Sequence, residues 1–506
     1  MFDDHHQKET SQEGFQQRVL AYAQQMLWPG APAGEITVEQ LPSSGGGQGN
    51  RLAFGVTRRW RCPLTFHHPG WNNLYYPYPY PYDPYSYNHY YPDYHTATLW
   101  EQEEEEEEGY IIRLPWQTNR QSRGEPDTTP PPLTDLESDI AAHCFVRERT
   151  TIPIQPLEFY DVTCWNALGM PHTVQRRVKG ERSLASAWAG MDFRQRCEVA
   201  REFGEVIGKL LGVKSGNPGV FRLAPLLYDD GFFPGMKMGM GMSVVPLPSG
   251  PRFSDIVVGS GGGGSGGSGE FPSRGYATQM LGVIDSLLRA RIVASEIETE
   301  ADGDDGDDNN NADTTPPTDS QIRKRIYASL SEMAFEMTAR GVFDNVPYCL
   351  VYMDLGPGNI LVRRIPSGSN TDLTEEGGKK LITAIQGWEA ACFAPAFMAC
   401  SPPAWMWVPP EWENYAMSVV TDEAALGGLM RMSEREMTAE SAEIKRLFET
   451  AAGGEEYRRY AYLPVYSLCR VLMRVAFSGI CEGGGGSKVG AEECLAAIEE
   501  WEGMKG

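Results

Sequence analysis

A short stretch near residue 350 constrains this chain more than any other. Tyr348, Cys349, Leu350 and Val351 form one apolar run, and Ile360, Leu361 and Val362 form a second. Runs of this length, rich in branched and aromatic residues, read as buried strands. Between them Gly356, Pro357 and Gly358 force a turn that carries Asp354 and Asn359. A carboxylate and a carboxamide on one loop, pinned at both ends by strands, can converge on a single point. Such a pair can present a base and a metal-binding oxygen to a phosphate.

The spacing of Asp354 and Asn359, followed by Ile360-Leu361-Val362, resembles the catalytic loop of the aminoglycoside phosphotransferase-like and choline kinase-like family, distant relatives of protein kinases. The chain is similar to fungal-type members of unassigned substrate. The resemblance implies that Asp354 is the catalytic base and Asn359 a magnesium ligand, with ATP and Mg2+ as cofactors. Where the family has His-Gly before the Asp, this chain has Tyr352 and Met353.

The segment LITAIQGWEAACFAP, residues 381–395, resembles the family's second metal strand, I-x-D-W-E. Gly387 stands at the position of the bridging carboxylate, and glycine offers no ligand. Glu389 lies two residues on, hence on the same strand face. It either substitutes as a longer metal ligand or packs beside Trp388. Residues 397–407 and 443–480 resemble the family's C-terminal helices. There Trp405, Trp407 and Trp412 read as core or as a substrate wall.

Upstream, YIIRLPW (residues 110–116) reads as a strand and places Arg113 where the resemblance puts a phosphate-binding base. Arginine suits phosphate by charge and geometry. A helix is expected from about Thr134. On it Asp139 falls at the family's acid that pairs with the strand's basic residue, with Glu137 as a competitor. HTVQRRVKGERSL (residues 172–184) reads as strand and hinge, and the resemblance implies adenine contacts near Gln175 to Val178. The glycine-rich turn at residues 43–50 is either a linker or a phosphate-approaching hairpin.

Apolar spacing predicts helices over 14–28, 192–211 (Asp192 as N-cap), 276–293, 319–340 and 491–502. In the 192–211 helix, Phe193, Cys197, Ala200, Phe203, Val206, Ile207 and Leu210 are expected to form a core stripe. A Tyr/Pro-rich segment and a glutamate run, residues 57–109, read as a disordered insertion. Gly/Ser-rich and acidic stretches around 249–275 and 296–320 read likewise. The DGDDGDD run lacks the EF-hand register, and the Met/Gly run at 236–242 reads as a flexible loop.

The chain has 506 residues, 41% hydrophobic, with a formal charge of −24. That supplies a sizeable core for two lobes. The acidity argues against nucleic acid as partner. No apolar run spans a membrane, and the polar N-terminus is unlike a secretion signal. Ten cysteines without a Cys-x-x-Cys pair argue against zinc and for free thiols, so an intracellular, cytoplasmic location is expected.

The expected fold is α+β and bilobal, of protein kinase-like type. It comprises a small mixed N-lobe with an antiparallel sheet (residues 1–175) and a mostly helical C-lobe (176–506). Two functions follow. One is ATP-dependent phosphorylation of a hydroxyl on a small-molecule acceptor. The other is an inactive relative that acts as a nucleotide-binding or protein-interaction module, motivated by Gly387. Neither the acceptor nor the oligomeric state has a signature in the sequence.

Overall fold

The structure, a computed structural model, describes residues 12–41, 52–62, 104–114, 134–163, 165–177, 181–224, 241–246, 274–301, 319–363, 380–388, 391–408, 437–481 and 489–505. The chain divides into two compact units. One comprises Met1–Gln40 and Phe54–Ile111, the other Leu41–Ala53 and Ile112–Gly506.

The first unit carries α1 (Gln12–Tyr22) and most of β1 (Ile36–Leu41), β2 (Leu52–Cys62) and β3 (Glu104–Leu114), whose order in the sheet is β1-β2-β3. The helix expected over 14–28 changes character at Ala23–Leu27, a π-turn closed by Trp28 N–H on the Ala23 carbonyl at 2.9 Å. The strands also run into the expected insertion from both sides, as far as Cys62 and from Glu104. The glutamate run is therefore partly strand. Self-repulsion is overcome at Glu108, whose carboxylate accepts from Trp28 Nε1 at 2.9 Å and Tyr110 Oη at 2.8 Å. Trp28 also packs edge-on against Tyr110. Residues 63–103, the glycine-rich turn and residues 236–240 lie outside the described residues.

The second unit is mixed α and β. In order, it holds α2 (Thr134–Arg149), β4 (Leu157–Asp161), β5 (His172–Arg177), β6 (Glu181–Ser183), the single turn α3 (Leu184–Ala187) and α4 (Phe193–Gly212). β7 (Lys214–Ser215), β8 (Gly219–Ala224), β9 (Gly241–Pro246), α5 (Arg274–Ala301) and α6 (Asp319–Ala339) follow. Then come β10 (Tyr348–Tyr352), β11 (Ile360–Arg363), β12 (Ile382–Ile385) and β13 (Ala391–Pro395). The chain closes with α7 (Ala439–Ala452), α8 (Glu455–Tyr462), α9 (Pro464–Ser478), β14 (Ile480–Cys481), β15 (Val489–Gly490) and α10 (Ala491–Lys505). The pairs β4–β5, β8–β9, β10–β13 and β11–β12 are all antiparallel, as expected of an α+β chain.

Local chemistry sets the helix ends. Asp192 caps α4 through a full capping box with Gln195. Thr438 accepts from Ser441 N–H to start α7, and Pro464 opens α9 at a position where a missing N–H costs nothing. The α4 stripe Val199, Phe203, Val206, Ile207 and Leu210 is buried, whereas Phe193, expected in that stripe, is 39% exposed. It occupies the first helical position, before the stripe meets its neighbours. α5 runs on to Ala301, past the expected edge of the acidic insertion.

Glu202, midway along α4, is buried and points at β12. Its two oxygens accept the N–H groups of Leu381 at 3.0 Å and Ile382 at 2.7 Å. Burial pushes its carboxyl up, against the pull of those two donors. Cys144, Cys197, Cys349, Cys392, Cys400, Cys469 and Cys494 are free thiols. Burial raises the thiols of Cys349, Cys392 and Cys400, which suits packing rather than reactivity. Among the described residues no helix is long and apolar enough to cross a membrane.

Candidate active site

β10 and β11 are consecutive in the chain but belong to different sheets. β10 pairs with β13, with Tyr352 opposite Ala391, and β11 pairs with β12, with Ile360 opposite Ile385. Two connections therefore bridge the same pair of sheets, one from β10 to β11 and one from β12 to β13. This register sets Gly358 and Asn359 beside Gln386.

The turn is held by its own hydrogen bonds. Gly356 N–H reaches the Asp354 carbonyl at 2.9 Å, and Asn359 N–H reaches the Gly356 carbonyl at 3.0 Å. The Asn359 side chain then closes the loop. Its Nδ2 donates to the Asp354 carbonyl at 2.8 Å and to Asp354 Oδ2 at 3.2 Å. The carboxylate orientation is thus fixed by the amide five residues on, as the spacing suggests.

Gln386 connects this loop to the end of β3. Its N–H donates to the Asn359 carbonyl at 3.0 Å, its Nε2 to the Gly358 carbonyl at 3.4 Å, and its own carbonyl accepts from Tyr352 Oη at 2.7 Å. Its Oε1 accepts from Arg113 Nη2 at 3.0 Å. Arg113 Nε donates to Gln175 Oε1 at 3.2 Å. Two glutamines, one on β5 and one after β12, therefore hold the guanidinium. Both are neutral, so the bonds leave its positive charge in place.

Asp139 is buried on α2, and the Arg113 hydrogen bonds run to the two amides. One turn beyond Asp139, His143 is buried with no hydrogen-bond partner for Nε2 among the described residues. Burial, then the charges of Arg147 and Arg113, push it down to about 4, so the ring is neutral at pH 7.

Tyr352 takes part in the packing as well as the hydrogen bonding. Its ring stacks on Trp388 at 5.0 Å between centroids, and Trp388 Nε1 donates to the Ile385 carbonyl at 3.1 Å. Trp405 and Trp407 are buried, and Trp405 with Tyr352, Met353 and Leu355 walls a cavity of about 60 Å³. The burial of Trp405 and Trp407 places them in the core. Trp412, Val178 and Glu389 lie outside the described residues.

Among the described residues the donors do not fit magnesium. Gly387 has no side chain to offer, and the Asp354–Asn359 pair, joined through Asn359 Nδ2, supplies one carboxylate and one amide oxygen without the second carboxylate. Gln386 Oε1, a side-chain oxygen beside the vacant carboxylate position, already accepts from a guanidinium. No group of three or more His, Cys, Asp or Glu is placed to hold a metal among these residues. Magnesium needs near-octahedral oxygen ligands. Gly387 also adopts φ +80°, a left-handed backbone that costs a side chain strain.

No family model and no curated protein matches the chain. Solved structures similar to it include the ADP-bound aminoglycoside phosphotransferase APH(2'')-Ib, at 8% identity over 78% of this chain and 88% of that one, TM-score 0.34. A GDP complex of a mutant aminoglycoside 2'-phosphotransferase-IIIa matches at 10% identity over 97% and 95%, TM-score 0.37. A Plasmodium vivax ethanolamine kinase matches at 10% identity over 91% and 87%, TM-score 0.33. These neighbours are small-molecule kinases of protein kinase-like fold.

Two site residues have no counterpart in the sequence-based expectations. Gln386 has no motif of its own, being one residue before the recognised departure at Gly387. Tyr352 stands out in the sequence only as a departure from His. A buried aromatic hydroxyl needs a partner, and that requirement alone points to a role at the end of β10.

Proposed function

We propose that this chain transfers a phosphoryl group from a nucleoside triphosphate to a hydroxyl of a small molecule. Asp354 takes the proton of the attacking hydroxyl. Asn359 orients its carboxylate, and Arg113 steadies the phosphates of the donor. Gln175, with the β5 backbone, lies on the nucleotide side of the site. The observation that carries this reading is the locked pair: Asn359 Nδ2 on both the main-chain and side-chain oxygens of Asp354. A pre-oriented carboxylate, on a loop joined through Gln386 to a guanidinium held by neutral amides, is what in-line transfer to a hydroxyl needs from a protein.

Asp354→Asn tests it. The variant retains an oxygen for Asn359 and loses the base. ATP turnover with a hydroxyl acceptor is expected to fall by about 10²- to 10⁴-fold with the melting temperature unchanged. Turnover equal to wild type overturns the assignment of Asp354.

A second reading rests on Gly387: the chain binds nucleotide without transferring phosphate. It predicts that nucleotides raise the melting temperature while no acceptor is phosphorylated.

A further inference from the structure

We propose that Arg113 replaces a divalent cation at the phosphate site, so that the chain binds a nucleoside di- or triphosphate without metal. The inference rests on the nucleotide reading above and adds to it the source of the positive charge.

Three relationships carry it. First, the place of a metal carboxylate is held by Gly387, whose φ of +80° disfavours a side chain there. Second, the adjacent residue turns its side-chain oxygen not toward a cation site but onto a cationic side chain, with Gln386 Oε1 at 3.0 Å from Arg113 Nη2. Third, Arg113 is held by amides alone among the described residues, through Nε to Gln175 and Nη2 to Gln386. A guanidinium has five N–H donors, and these two bonds leave the Nη1 pair and one Nη2 hydrogen for a ligand. A carboxylate partner would cancel the charge; a glutamine fixes the position and leaves it.

Gln386 also fixes where the charge sits. It is bonded to the carbonyls of Gly358 and Asn359 and to Tyr352 Oη, so Arg113 is registered against the Asp354 loop. A planar fork with free donors and uncancelled charge recognises phosphate oxygens two at a time. The pyrophosphate group of a nucleotide is the ligand class that needs such a fork and otherwise recruits a divalent ion.

The test is calorimetric titration of the full chain with ATP and ADP, first in EDTA and then in excess magnesium. The dissociation constant in EDTA is expected to lie within about threefold of that in magnesium. Arg113→Gln should weaken binding in EDTA by about tenfold or more, and Arg113→Lys by less, since charge survives and the fork does not. Binding that appears only with magnesium overturns the inference and leaves the nucleotide reading standing. Absence of binding under both conditions overturns the nucleotide reading itself. Affinity unchanged in Arg113→Gln also overturns the inference. The comparison of EDTA with magnesium needs no variant, so it decides even where a substitution fails to fold.

Discussion

Gln386 Oε1 lies 3.0 Å from Arg113 Nη2, a contact between residues 273 apart in sequence. It joins the end of β3 to the connection that follows β12. Because Gln386 is also bonded to the backbone of the Asp354 loop, one neutral side chain ties that loop to a positive charge.

The neutrality of Gln386 can be reversed. Gln386→Glu places a carboxylate on Arg113 at the same distance. Charge-assisted pairing is expected to keep or raise stability while lowering polyphosphate affinity in EDTA by about tenfold. Titration calorimetry reads the affinity and urea unfolding the stability. Unchanged affinity would show that the charge of Arg113 is not used.

Glu202 fastens α4 to the start of β12, and thereby the connection that carries Gln386. Glu202→Ala leaves two buried N–H groups, those of Leu381 and Ile382, without acceptors. Each costs about 1–3 kcal/mol, so a loss of roughly 2–5 kcal/mol is expected in urea unfolding. A loss under about 0.5 kcal/mol would mean that water reaches these groups.

Gly204 marks the crossing of α4 and α7. A Cβ there would overlap the Phe448 carbonyl and come within 2.8 Å of Ala451 Cβ. Helix propensity favours alanine by about 1 kcal/mol, yet Gly204→Ala is expected to destabilise by about 1–3 kcal/mol through overpacking. A melting temperature at or above wild type would show that the helices can part without cost.

His143 gives the fold a pH dependence of known sign. Its folded value of about 4 lies below the ordinary 6.5, so the unfolded chain binds more protons between those values. Stability is full above about pH 6.5 and falls as pH drops toward 4, by up to roughly 3 kcal/mol. His143→Leu removes this titration. Urea unfolding of both proteins at pH 7 and pH 4.5 should show the smaller acid loss in the variant, and equal losses would exclude His143 as the cause.

The sequence by itself determined the elements. Apolar runs around a Gly-Pro-Gly turn gave the β10–loop–β11 unit, and caps such as Asp192 and Pro464 fixed helix starts, because strand runs, turns and caps are encoded within a few residues of chain. The Asp354–Asn359 pair was legible for the same reason, since both groups lie on one short loop. What only the tertiary structure decided is who meets across the sheets. Glu108 sits in a run that reads as disordered, but Trp28 and Tyr110 fold around it. Tyr352 reads as a departure, but it stacks on Trp388 and holds Gln386. The guanidinium of Arg113 finds Gln175 and Gln386 rather than a partner named by motif. Such contacts depend on strand register between distant segments, and a register of pairing is a property of packed faces, which no local pattern in the chain carries.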